Sequence, residues 1–554
     1  MYLDRSISRI RGKTYHRVLL RQSYREQGKV KHRTIANFSK CSPEEIEAIA
    51  LALQHKKDLA ALRAGADTQG KKIVLQQGLS VGAVGLLHGL AVELGLATAL
   101  GPSRQGKLAL WQVIARVIDQ GSRLSAVRLA GSHAACDILG LGSFTEEDLY
   151  ANLDWLCAHQ SAIEGRLFRQ LYPTASPELF LYDVTSSYFE GQHNELGAFG
   201  YNRDGKRGKK QIVIGLLCDA AGRALCIEVF AGNTPDTGTF ASQIQKVAAR
   251  FGAGSVSFVG DRGMIKGPQM AELAAHGFHY ITAITKPQIE KLLAQKVLDM
   301  ELFDEKLAEV QGEDVRYILR RNPQRAQELE ASRASKLRKL REEVGVSNAY
   351  LAGHPRASLE VALRRIARRI AKLKLAGWLS ARGVNREIEL VIDEEALAES
   401  SKLEGCYVLK TDLKQSVADK QIVHERYKDL AKVEWAFRTS KTVELEMRPI
   451  HVRLEERTRG HALVVMLAYR LVAELAQRWA SLNETVEEAI EELSTLCAHE
   501  VWIDGEVRCA KIPKPRQSVA RLLELAGVIL PEAFPCRGIK VATKKKLHEN
   551  RISN

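Results

Sequence analysis

The chain has 554 residues, of which 45% are hydrophobic and only 14 are proline, which excludes an intrinsically disordered protein and leaves room for roughly three or four domains. A formal net charge of +15 indicates a polyanionic partner. Nine cysteines without a C-x-x-C pair exclude a zinc ribbon or a disulfide scaffold and indicate a reducing, intracellular compartment.

The basic residues are concentrated in three segments. Residues 1–40 hold eleven Lys and Arg against two acidic residues, residues 315–375 hold sixteen against five, and residues 537–554 hold six against one. This segregation is typical of a protein that binds nucleic acid at several points. Solvated helix faces are the alternative interpretation of the two larger segments.

The sequence predicts a soluble protein without membrane contact. The first five residues lack the apolar core of a signal peptide. The most apolar region, residues 80–100, is interrupted by His88 and Glu93 and indicates a pair of buried helices.

Residues 1–75 are predicted to form a basic N-terminal DNA-binding module. A β-hairpin is expected over residues 13–38, with Val30, Ile35 and Phe38 available for a small core. Basic side chains crowd the return strand, which suits a module that reads DNA ends. A helix is expected just beyond the hairpin, where a serine N-cap, a proline and two acids follow one another.

Residues 76–177 have the pattern of a helical domain. One predicted helix carries an apolar face that includes Leu108, Trp111 and Ile114. The sequence does not decide whether this domain contacts DNA or a second subunit.

Residues 178–287 change to β-rich runs. Five strands and two helices are expected in the order βββαβαβ, with a tight antiparallel connection between the second and third strands. This order is that of a ribonuclease H-like fold, a central sheet with helices on its faces. The predicted strands are residues 179–183, 211–219, 224–231, 255–260 and 279–284, and the predicted helices are residues 239–250 and 266–276.

The ribonuclease H-like core is expected to be interrupted by a large basic insertion domain, residues 288–404. Apolar residues recur there at helical spacing, with arginines mostly off that seam, and an earlier basic helix is expected to pack against it. The core is expected to resume over residues 405–480, with one helical run over residues 416–441. A helical and basic tail, residues 481–554, completes this mixed α/β plus α architecture. The seam consists of Leu359, Leu363, Ile366, Ile370 and Leu373.

Three carboxylates form the candidate chemical site. Asp183 is expected at the end of the first core strand and Asp261 at the end of the fourth, so that they lie side by side if those strands are neighbours. Glu434 is expected on a helix packed over the sheet. Three carboxylates at one point suit Mg²⁺ and phosphodiester cleavage. Taken singly, each has a plainer interpretation as a turn, cap or surface residue.

Four short sequence motifs resemble those of bacterial insertion-sequence transposases of the DDE type, in the insertion-sequence-four superfamily and its sixteen-thirty-four family. The resemblance spans residues 1–480. The motifs are YDVTSSYFE at residues 182–190, GYNRDGKRGK at 200–209, GNTPDT at 232–237 and GDRGM at 260–264.

This resemblance implies a cut-and-paste DNA transposase that cleaves at terminal inverted repeats and joins the freed ends to target DNA. It implies that Asp183, Asp261 and Glu434 are the catalytic, metal-binding triad, holding two Mg²⁺ ions, with Mn²⁺ as a substitute. It further implies double-stranded DNA as partner, a homodimer in the synaptic complex, and a cytoplasmic, nucleoid-associated protein.

The superfamily carries a Y-x2-R-x3-E-x6-K signature on its glutamate helix. Tyr427, Glu434 and Lys441 match this spacing, but Leu430 stands where arginine is expected. Tyr427 and Lys441 are expected to position phosphate. A solvated surface lysine is the alternative interpretation of Lys441.

The arginine missing from the signature is expected to be replaced by Arg426 or Arg438. A basic loop close in sequence to the metal site is expected to contact the DNA backbone; a loop kept soluble by its charge is the alternative. The predicted DNA-contacting residues are Tyr427, Arg438, Lys441, Arg203, Lys206, Arg207, Lys209 and Lys210.

Two rival functions remain open at this level. A non-enzymatic repressor derived from a transposase would need the basic modules but not the carboxylates. A structure-specific nuclease on the same fold would cleave without preference for an end sequence and without strand transfer.

Overall fold

The computed structural model describes most of the chain. The described residues divide into two compact units, one of Met1–Gln77 with His499–Ala510 and the other of Gly78–Ala498 with Lys511–Asn554. The predicted domain boundaries are finer than this division and stay a prediction. The described residues are 1–10, 13–26, 28–54, 73–174, 177–189, 191, 193–201, 203, 205, 208–251, 256–441, 445–447, 450–503, 506–534, 539 and 541.

The first unit contains a three-stranded antiparallel sheet in the order β1-β2-β3. The second and third strands form the predicted hairpin, which turns at Gly28 with a φ of 77°. The sequence reading missed the first strand and misjudged the core, because Val30 and Ile35 are 56% and 46% exposed. The strands are β1 (Tyr2–Ile10), β2 (Lys13–Glu26) and β3 (Lys29–Asn37), and the predicted helix follows as α1 (Pro43–Gln54).

Three further strands have residues in the first unit. Among them, β15 lies between β16 and β4 in the hydrogen-bonded order. Their bounds are β4 (Ile73–Ser80), β15 (Cys497–Ile503) and β16 (Glu506–Lys511).

The second unit begins with six helices, as the pattern between residues 78 and 175 predicted. Trp111, on the third of these helices, is fully buried and donates its indole N–H to the Ala126 carbonyl at 3.2 Å. The last of the six starts with a capping box between Thr145 and Asp148. The helices are α2 (Gly82–Glu93), α3 (Leu96–Leu100), α4 (Arg104–Ile118), α5 (Arg123–Ser132), α6 (Ala135–Leu139) and α7 (Glu146–Leu171).

An eight-stranded mixed sheet forms the centre of the second unit, in the order β10-β11-β14-β9-β8-β5-β6-β7. The strand β5 pairs antiparallel with β6 and parallel with β8, and β8 pairs parallel with β9. The strands are β5 (Leu179–Tyr188), β6 (Gln211–Asp219), β7 (Ala224–Ala231), β8 (Ser257–Gly260), β9 (His279–Ala283), β10 (Ala308–Gln311), β11 (Arg316–Arg321) and β14 (Cys406–Thr411).

The elements between residues 178 and 287 follow the predicted chain order. Helix α8 (Asp236–Lys246) precedes β8, and α9 (Gly267–Ala275) precedes β9. Aromatic side chains fill the space beneath these helices, with the Phe240 ring 5.7 Å from Tyr182 and 5.6 Å from Phe258. This core holds β5 and β8 together, the two strands that carry the candidate aspartates.

The prediction that the first core strand ends at Asp183 is wrong. The strand β5 continues to Tyr188, because its antiparallel partner β6 pairs with it as far as Tyr188 and Gln211. The parallel partner β8 stops much earlier, opposite Tyr182. Asp183 therefore lies at the point where β5 loses its parallel neighbour but keeps its antiparallel one.

Part of the predicted insertion belongs to the large sheet, since β10 and β11 extend the sheet beyond β14, which itself pairs with β9. The remainder packs around its own core, where the predicted seam residues Ile366 and Ile370 are buried together with Trp378. Helix α10 (Lys286–Ala294) packs instead with β10, β11 and β14. The elements of the remainder are α11 (Pro323–Gly353), α12 (Leu359–Lys372), the hairpin β12 (Leu379–Val384) and β13 (Glu387–Ile392), and α13 (Glu394–Ser401).

The helical run predicted over residues 416–441 is two helices that break at Asp429. Beyond them, a long buried helix packs against α7 and α4. At Gly460 an added Cβ would lie 2.2 Å from the Leu153 carbonyl oxygen, so only glycine permits this close contact of helices. The elements are α14 (Lys420–Lys428), α15 (Leu430–Lys441), α16 (Glu455–Arg478), α17 (Val486–Ser494), α18 (Gln517–Leu525) and β17 (Ala533–Phe534).

None of the helices in the described part of the chain combines the length and the apolar character needed to cross a membrane.

Candidate active site

The sheet brings Asp183 and Asp261 next to each other. In the parallel register Tyr182 lies opposite Gly260, and an aspartate follows each of them directly. The two strands are therefore neighbours, which is the condition under which the aspartates were expected to lie side by side. Asp183 Oδ1 accepts a hydrogen bond from the Val184 amide at 2.8 Å, and Asp261 Oδ1 accepts one from the Arg262 amide at 2.7 Å.

The turn after β8 holds Asp261 at the edge of the sheet. The Met264 amide donates to the Asp261 carbonyl at 3.2 Å, and Gly263 has a φ of 114°, a conformation that L side chains rarely adopt. The GDRGM motif is therefore the end of a strand followed by a turn, and the turn requires the second glycine of the motif.

Helix α15 places Glu434 near the two aspartates. This helix packs on β5. The pKa of Asp183 is raised to about 7, first by burial and then by the negative charges of Asp261 and Glu434, while the Val184 amide and Arg203 oppose the shift. The charges of Asp261 and Glu434 thus both act on Asp183.

No group of three His, Cys, Asp or Glu side chains among the described residues has an arrangement ready to hold a metal ion. The donor set nonetheless suits a hard divalent cation, because its ligands are carboxylate oxygens and because the mutual repulsion at Asp183 would be relieved by positive charge. The carboxylates would have to draw closer together to bind it.

Tyr427 contacts the site from helix α14. Its hydroxyl donates to Asp261 Oδ1 at 3.4 Å, a long hydrogen bond. Burial, followed by the charge of Asp261, raises the pKa of Tyr427 above its ordinary value. Tyr427 therefore remains a neutral hydrogen-bond donor directed at Asp261.

Lys441 is a buried residue of the site. It is 9% exposed, and its Nζ donates to Thr185 Oγ1 at 2.8 Å. The alternative of a solvated surface lysine is therefore wrong. Thr185 was missed by sequence reasoning, although its spacing of two from Asp183 puts both side chains on one face of β5.

Arg203 stands at the start of the basic loop and is held in place from two sides. Its backbone amide donates to Ser186 Oγ at 3.0 Å, and its guanidinium forms a 2.5 Å ion pair with Asp236. Asp236 belongs to the GNTPDT motif and is the first residue of helix α8. Sequence reasoning assigned no role to Ser186 or Asp236, because only the fold brings them to the loop.

The remainder of the basic loop is described in part. Lys206 and Arg207 lie outside the described residues. Lys209 is exposed, and the Lys210 carbonyl accepts from the Phe189 amide at 3.4 Å. Tyr201, which sequence reasoning did not select, is 82% exposed, and the Arg203 guanidinium lies 5.6 Å from its ring centre.

The signature position taken by Leu430 is apolar for a structural reason, since Leu430 is 8% exposed. Of the two expected substitutes, Arg426 approaches Glu178 at 3.7 Å. Arg438 is exposed on α15 one turn beyond Glu434, on a similar face of the helix. The geometry therefore favours Arg438 as the second cation near the glutamate.

Comparison with known families defines the class of protein. Residues 174–471, more than half of the chain, match the transposase DDE domain, so the protein is a DDE transposase, an enzyme of DNA transposition whose class uses divalent metal ions. Residues 3–66 match the N-terminal domain of IS1634 family transposases. The chain belongs to the IS1634 family of DDE transposases, which confirms the resemblance that its sequence motifs indicated.

No curated protein matches this chain. Among solved structures, a cryo-EM structure of the piggyBac transposase synaptic complex with hairpin DNA matches with a TM-score of 0.34 and 9% sequence identity, over 70% of this chain and 69% of that chain. A likeness at this level carries no structural argument.

Proposed function

We propose that this transposase cleaves DNA at the terminal inverted repeats of its element and transfers the freed 3′ ends to target DNA, with Asp183, Asp261 and Glu434 as its catalytic triad. One observation carries the proposal: two aspartates directly follow paired residues of neighbouring parallel strands, and the charge of Glu434 reaches the first of them. Convergent carboxylates of this kind are what metal-dependent phosphodiester cleavage requires.

The catalytic core has a ribonuclease H-like arrangement. Its support is the element order βββαβαβ together with the position of β5, which lies between its antiparallel partner β6 and its parallel partner β8. The end of β8 leaves Asp261, just after it, beside Asp183 on β5 at the edge where the parallel pairing stops. That edge is the natural place for a site formed by side chains from separate segments.

The triad holds two Mg²⁺ ions, for which Mn²⁺ is a substitute. Hard carboxylate oxygens are the ligands that Mg²⁺ prefers. When bound, the ions supply charge stabilisation to the attacking and leaving oxygens of the phosphodiester. The raised pKa of Asp183, caused first by burial and then by its two acidic neighbours, supports this assignment, because a cation would remove the repulsion.

The other side chains of the site bind and orient the DNA backbone. Lys441, held by Thr185 on β5, supplies a buried positive charge two turns from Glu434. Tyr427 donates a hydrogen bond on the side of Asp261, and Arg203 is oriented by Asp236 at the start of the loop. Positioned cations and donors of this kind stabilise charge that develops on a phosphoryl group.

The basic surfaces outside the site bind the DNA away from the cleaved bond. These are residues 1–40 and the exposed arginines of α12, together with Lys209. Arg438, one turn beyond Glu434, contacts the DNA backbone at the site itself. Two transposon ends are brought together by a homodimer, and the protein works on the nucleoid in the cytoplasm. The domain division into residues 1–75, 76–177, 178–287, 288–404, 405–480 and 481–554 is part of the same proposal.

A cleavage assay with a labelled terminal-repeat duplex and Mg²⁺ tests the proposal. The wild-type protein is expected to cut at the repeat end, and Asp183→Asn is expected to bind the duplex but not to cut it. Asp314→Asn is the matched control, because Asp314 is exposed in the turn between β10 and β11. Repeat-dependent cutting by Asp183→Asn would contradict the site.

The same assay separates the two rivals. Binding without cutting by the wild-type protein would indicate a repressor, and cutting that ignores the repeat sequence would indicate a structure-specific nuclease. A product in which the labelled end is joined to unlabelled duplex is expected from a transposase alone.

A further inference from the structure

A second cluster of buried cationic side chains lies in the helical part of the second unit. A cavity of about 310 Å³ is lined by Arg116 on α4, Arg123 on α5 and Tyr150 on α7. His461 on α16 and Glu446 complete its polar wall. This volume is at the small end of the range for small-molecule sites and is far too small for a DNA duplex.

Arg123 is a buried cation with an incomplete set of partners. It is 7% exposed, and its guanidinium makes a hydrogen bond to His461 Nδ1 at 3.0 Å. Its Nε has no hydrogen-bond partner among the described residues. Burial, followed by the nearby charge of Arg116, lowers the pKa of Arg123 to about 9. A buried guanidinium in this condition has a hydrogen-bond donor and a charge that an anion could satisfy.

His461 strengthens this reading. Burial, followed by Arg123 and Arg116, lowers its pKa well below the ordinary value, so the imidazole is neutral. A neutral imidazole can accept the hydrogen bond from Arg123 but cannot balance its charge. The partner of Arg123 within the described residues is therefore a neutral group.

The neighbouring Arg116 fixes the wall of the cavity. Its guanidinium donates to the Gln120 carbonyl and, at 2.9 Å, to the Gly121 carbonyl. These bonds pin the chain just before α5, whose N-cap Ser122 accepts from the Ser125 amide at 3.2 Å. The positive N-terminal end of this ten-residue helix therefore lies at the cavity together with Arg123.

Glu446 supplies the negative charge of the wall, and it acts on Arg116. Its backbone has a φ of 38°, which is unusual for a residue with a side chain. The adjoining Met447 amide donates to the Ser440 carbonyl at 2.9 Å, one residue before Lys441. The cavity wall is thus continuous with the end of the helix that carries Glu434.

We propose that this cavity binds a phosphate group, with Arg123 and the N-terminus of α5 as its principal donors. A phosphate oxygen would take the hydrogen of Arg123 Nε and supply the negative charge that the guanidinium lacks. The phosphate comes either from an unpaired terminal nucleotide of DNA, since a duplex does not fit, or from a free phosphate ion.

The first test uses the full-length protein without DNA and with a chelator, so that its outcome does not depend on the proposed catalytic site. Thermal unfolding is measured in sodium phosphate and in sodium chloride of the same ionic strength. The wild-type midpoint is expected to rise by about 1–3 °C in phosphate. No rise would overturn the proposal.

Variants of Arg123 assign the effect to the cavity. Arg123→Gln is expected to fold, because it removes an unbalanced buried charge, and to lose the response to phosphate. Arg128→Gln is the matched control on the exposed side of the same helix and is expected to keep the response. A wild-type response in Arg123→Gln would overturn the proposal.

Arg123→Lys keeps the positive charge and guards against a folding defect in Arg123→Gln. It lacks the forked guanidinium, and its phosphate affinity by calorimetry is expected to be about tenfold weaker than that of the wild type. Wild-type affinity in this variant would contradict the role given to Nε.

A final comparison distinguishes the two sources of phosphate. If a DNA phosphate occupies the cavity, inorganic phosphate competes with a duplex that carries an unpaired terminal nucleotide, and Arg123→Gln binds that duplex more weakly. If the ligand is a free phosphate ion, DNA affinity is the same with and without phosphate. Both outcomes require the thermal response of the wild type, and Asp183→Asn is expected to retain it.

Discussion

Lys441 illustrates how one hydrogen bond sets the position of a charge beside the candidate catalytic carboxylates. Its Nζ reaches Thr185 on the strand that carries Asp183, and both side chains of β5 share one face. The lysine is therefore oriented by the sheet as well as by its own helix. Its charge can act on a phosphate only as long as this orientation holds.

Removal of the Lys441 charge is expected to slow cleavage. Lys441→Met keeps the length of the side chain but removes its charge, and the rate of cutting at the repeat end is expected to fall about 100-fold, with a smaller loss of DNA affinity. Single-turnover cleavage measures the rate, and filter binding measures the affinity.

The hydroxyl of Thr185 provides the matched pair for this prediction. Thr185→Val removes the acceptor of the Lys441 bond and is expected to lower the rate about tenfold, whereas Thr185→Ser keeps the acceptor and is expected to cut at nearly the wild-type rate. Equal rates in the two variants would show that Thr185 has no part in orienting the lysine.

At the scale of single elements, the strand β6 depends on a glycine in its middle. A Cβ at Gly215 would lie 2.2 Å from the Tyr182 hydroxyl, so the tyrosine ring crosses the strand where there is no side chain. Glycine inside a strand pattern is typical of such a close approach. The site depends on it, because Tyr182 directly precedes Asp183.

Gly215→Ala is expected to destabilise the protein by about 1–3 kcal/mol, because the rigid ring must shift within a packed core. Gly345→Ala is the control, since an added Cβ in the middle of α11 meets no atom within 4 Å and is expected to be stabilising by about 0.5–1 kcal/mol. Urea unfolding compares the two, and equal effects would contradict the close contact.

Helix α14 is held to the sheet by a histidine that must be neutral. His424 Nε2 faces Arg320 at 3.0 Å and the Tyr407 hydroxyl at 2.5 Å. Burial, followed by the charges of Arg320 and Lys428, lowers its pKa from 6.5 to about 4. The unfolded chain therefore binds this proton more tightly than the folded protein.

The sign of the resulting pH dependence follows from linkage. Because the folded pKa is below the unfolded one, the His424 contribution is complete above pH 6.5 and is lost as the pH falls toward 4. Thermal midpoints of His424→Gln are expected to fall less steeply across this window than those of the wild type. His354→Gln is the control, because His354 is exposed. If the thermal midpoint of His424→Gln falls with pH as steeply as that of the wild type, the prediction is wrong.

At the scale of the whole molecule, much of the positive charge expected to bind DNA lies on different elements from the candidate catalytic carboxylates. The cationic face of α12 is exposed at Arg364, Arg365 and Arg368, while its apolar seam is buried. These arginines are away from the core of the large sheet and belong to the same amphipathic helix. They are suited to backbone contacts that add affinity without sequence preference.

Replacing both Arg364 and Arg368 by Gln is expected to weaken DNA binding and to reduce the slope of log affinity against log salt by about 2, since each phosphate contact contributes about 0.9. Fluorescence anisotropy over a salt series measures the slope. Arg128→Gln on α5 is the single-charge control, and an unchanged slope in the double variant would contradict DNA contact by this face.

Much of this architecture was predictable where local pattern and packing agree. The bounds of β6 and β7 match the sequence prediction because β6 is buried throughout, β7 is mostly buried, and turn residues separate them. The short strands β10 and β11 were not predicted, because β11 joins the sheet by pairing with the distant β14 and β10 joins it by pairing with β11. Local periodicity carries no information on that pairing.

The candidate site shows the same division. The acidic residues Asp183, Asp261 and Glu434 were selected from the sequence around them. In the fold, the charges of Asp261 and Glu434 act on Asp183. Thr185 and Asp236 escaped selection, because their roles come from contacts with Lys441 and Arg203 that only the tertiary structure creates.

The most direct test of the triad is a crystal structure of the protein soaked with Mn²⁺, read by anomalous scattering. The account predicts a metal peak within ligand distance of carboxylate oxygens from Asp183, Asp261 and Glu434, and loss of that peak in Asp183→Asn. A protein that cuts its terminal repeat while Mn²⁺ binds away from these three side chains would contradict it.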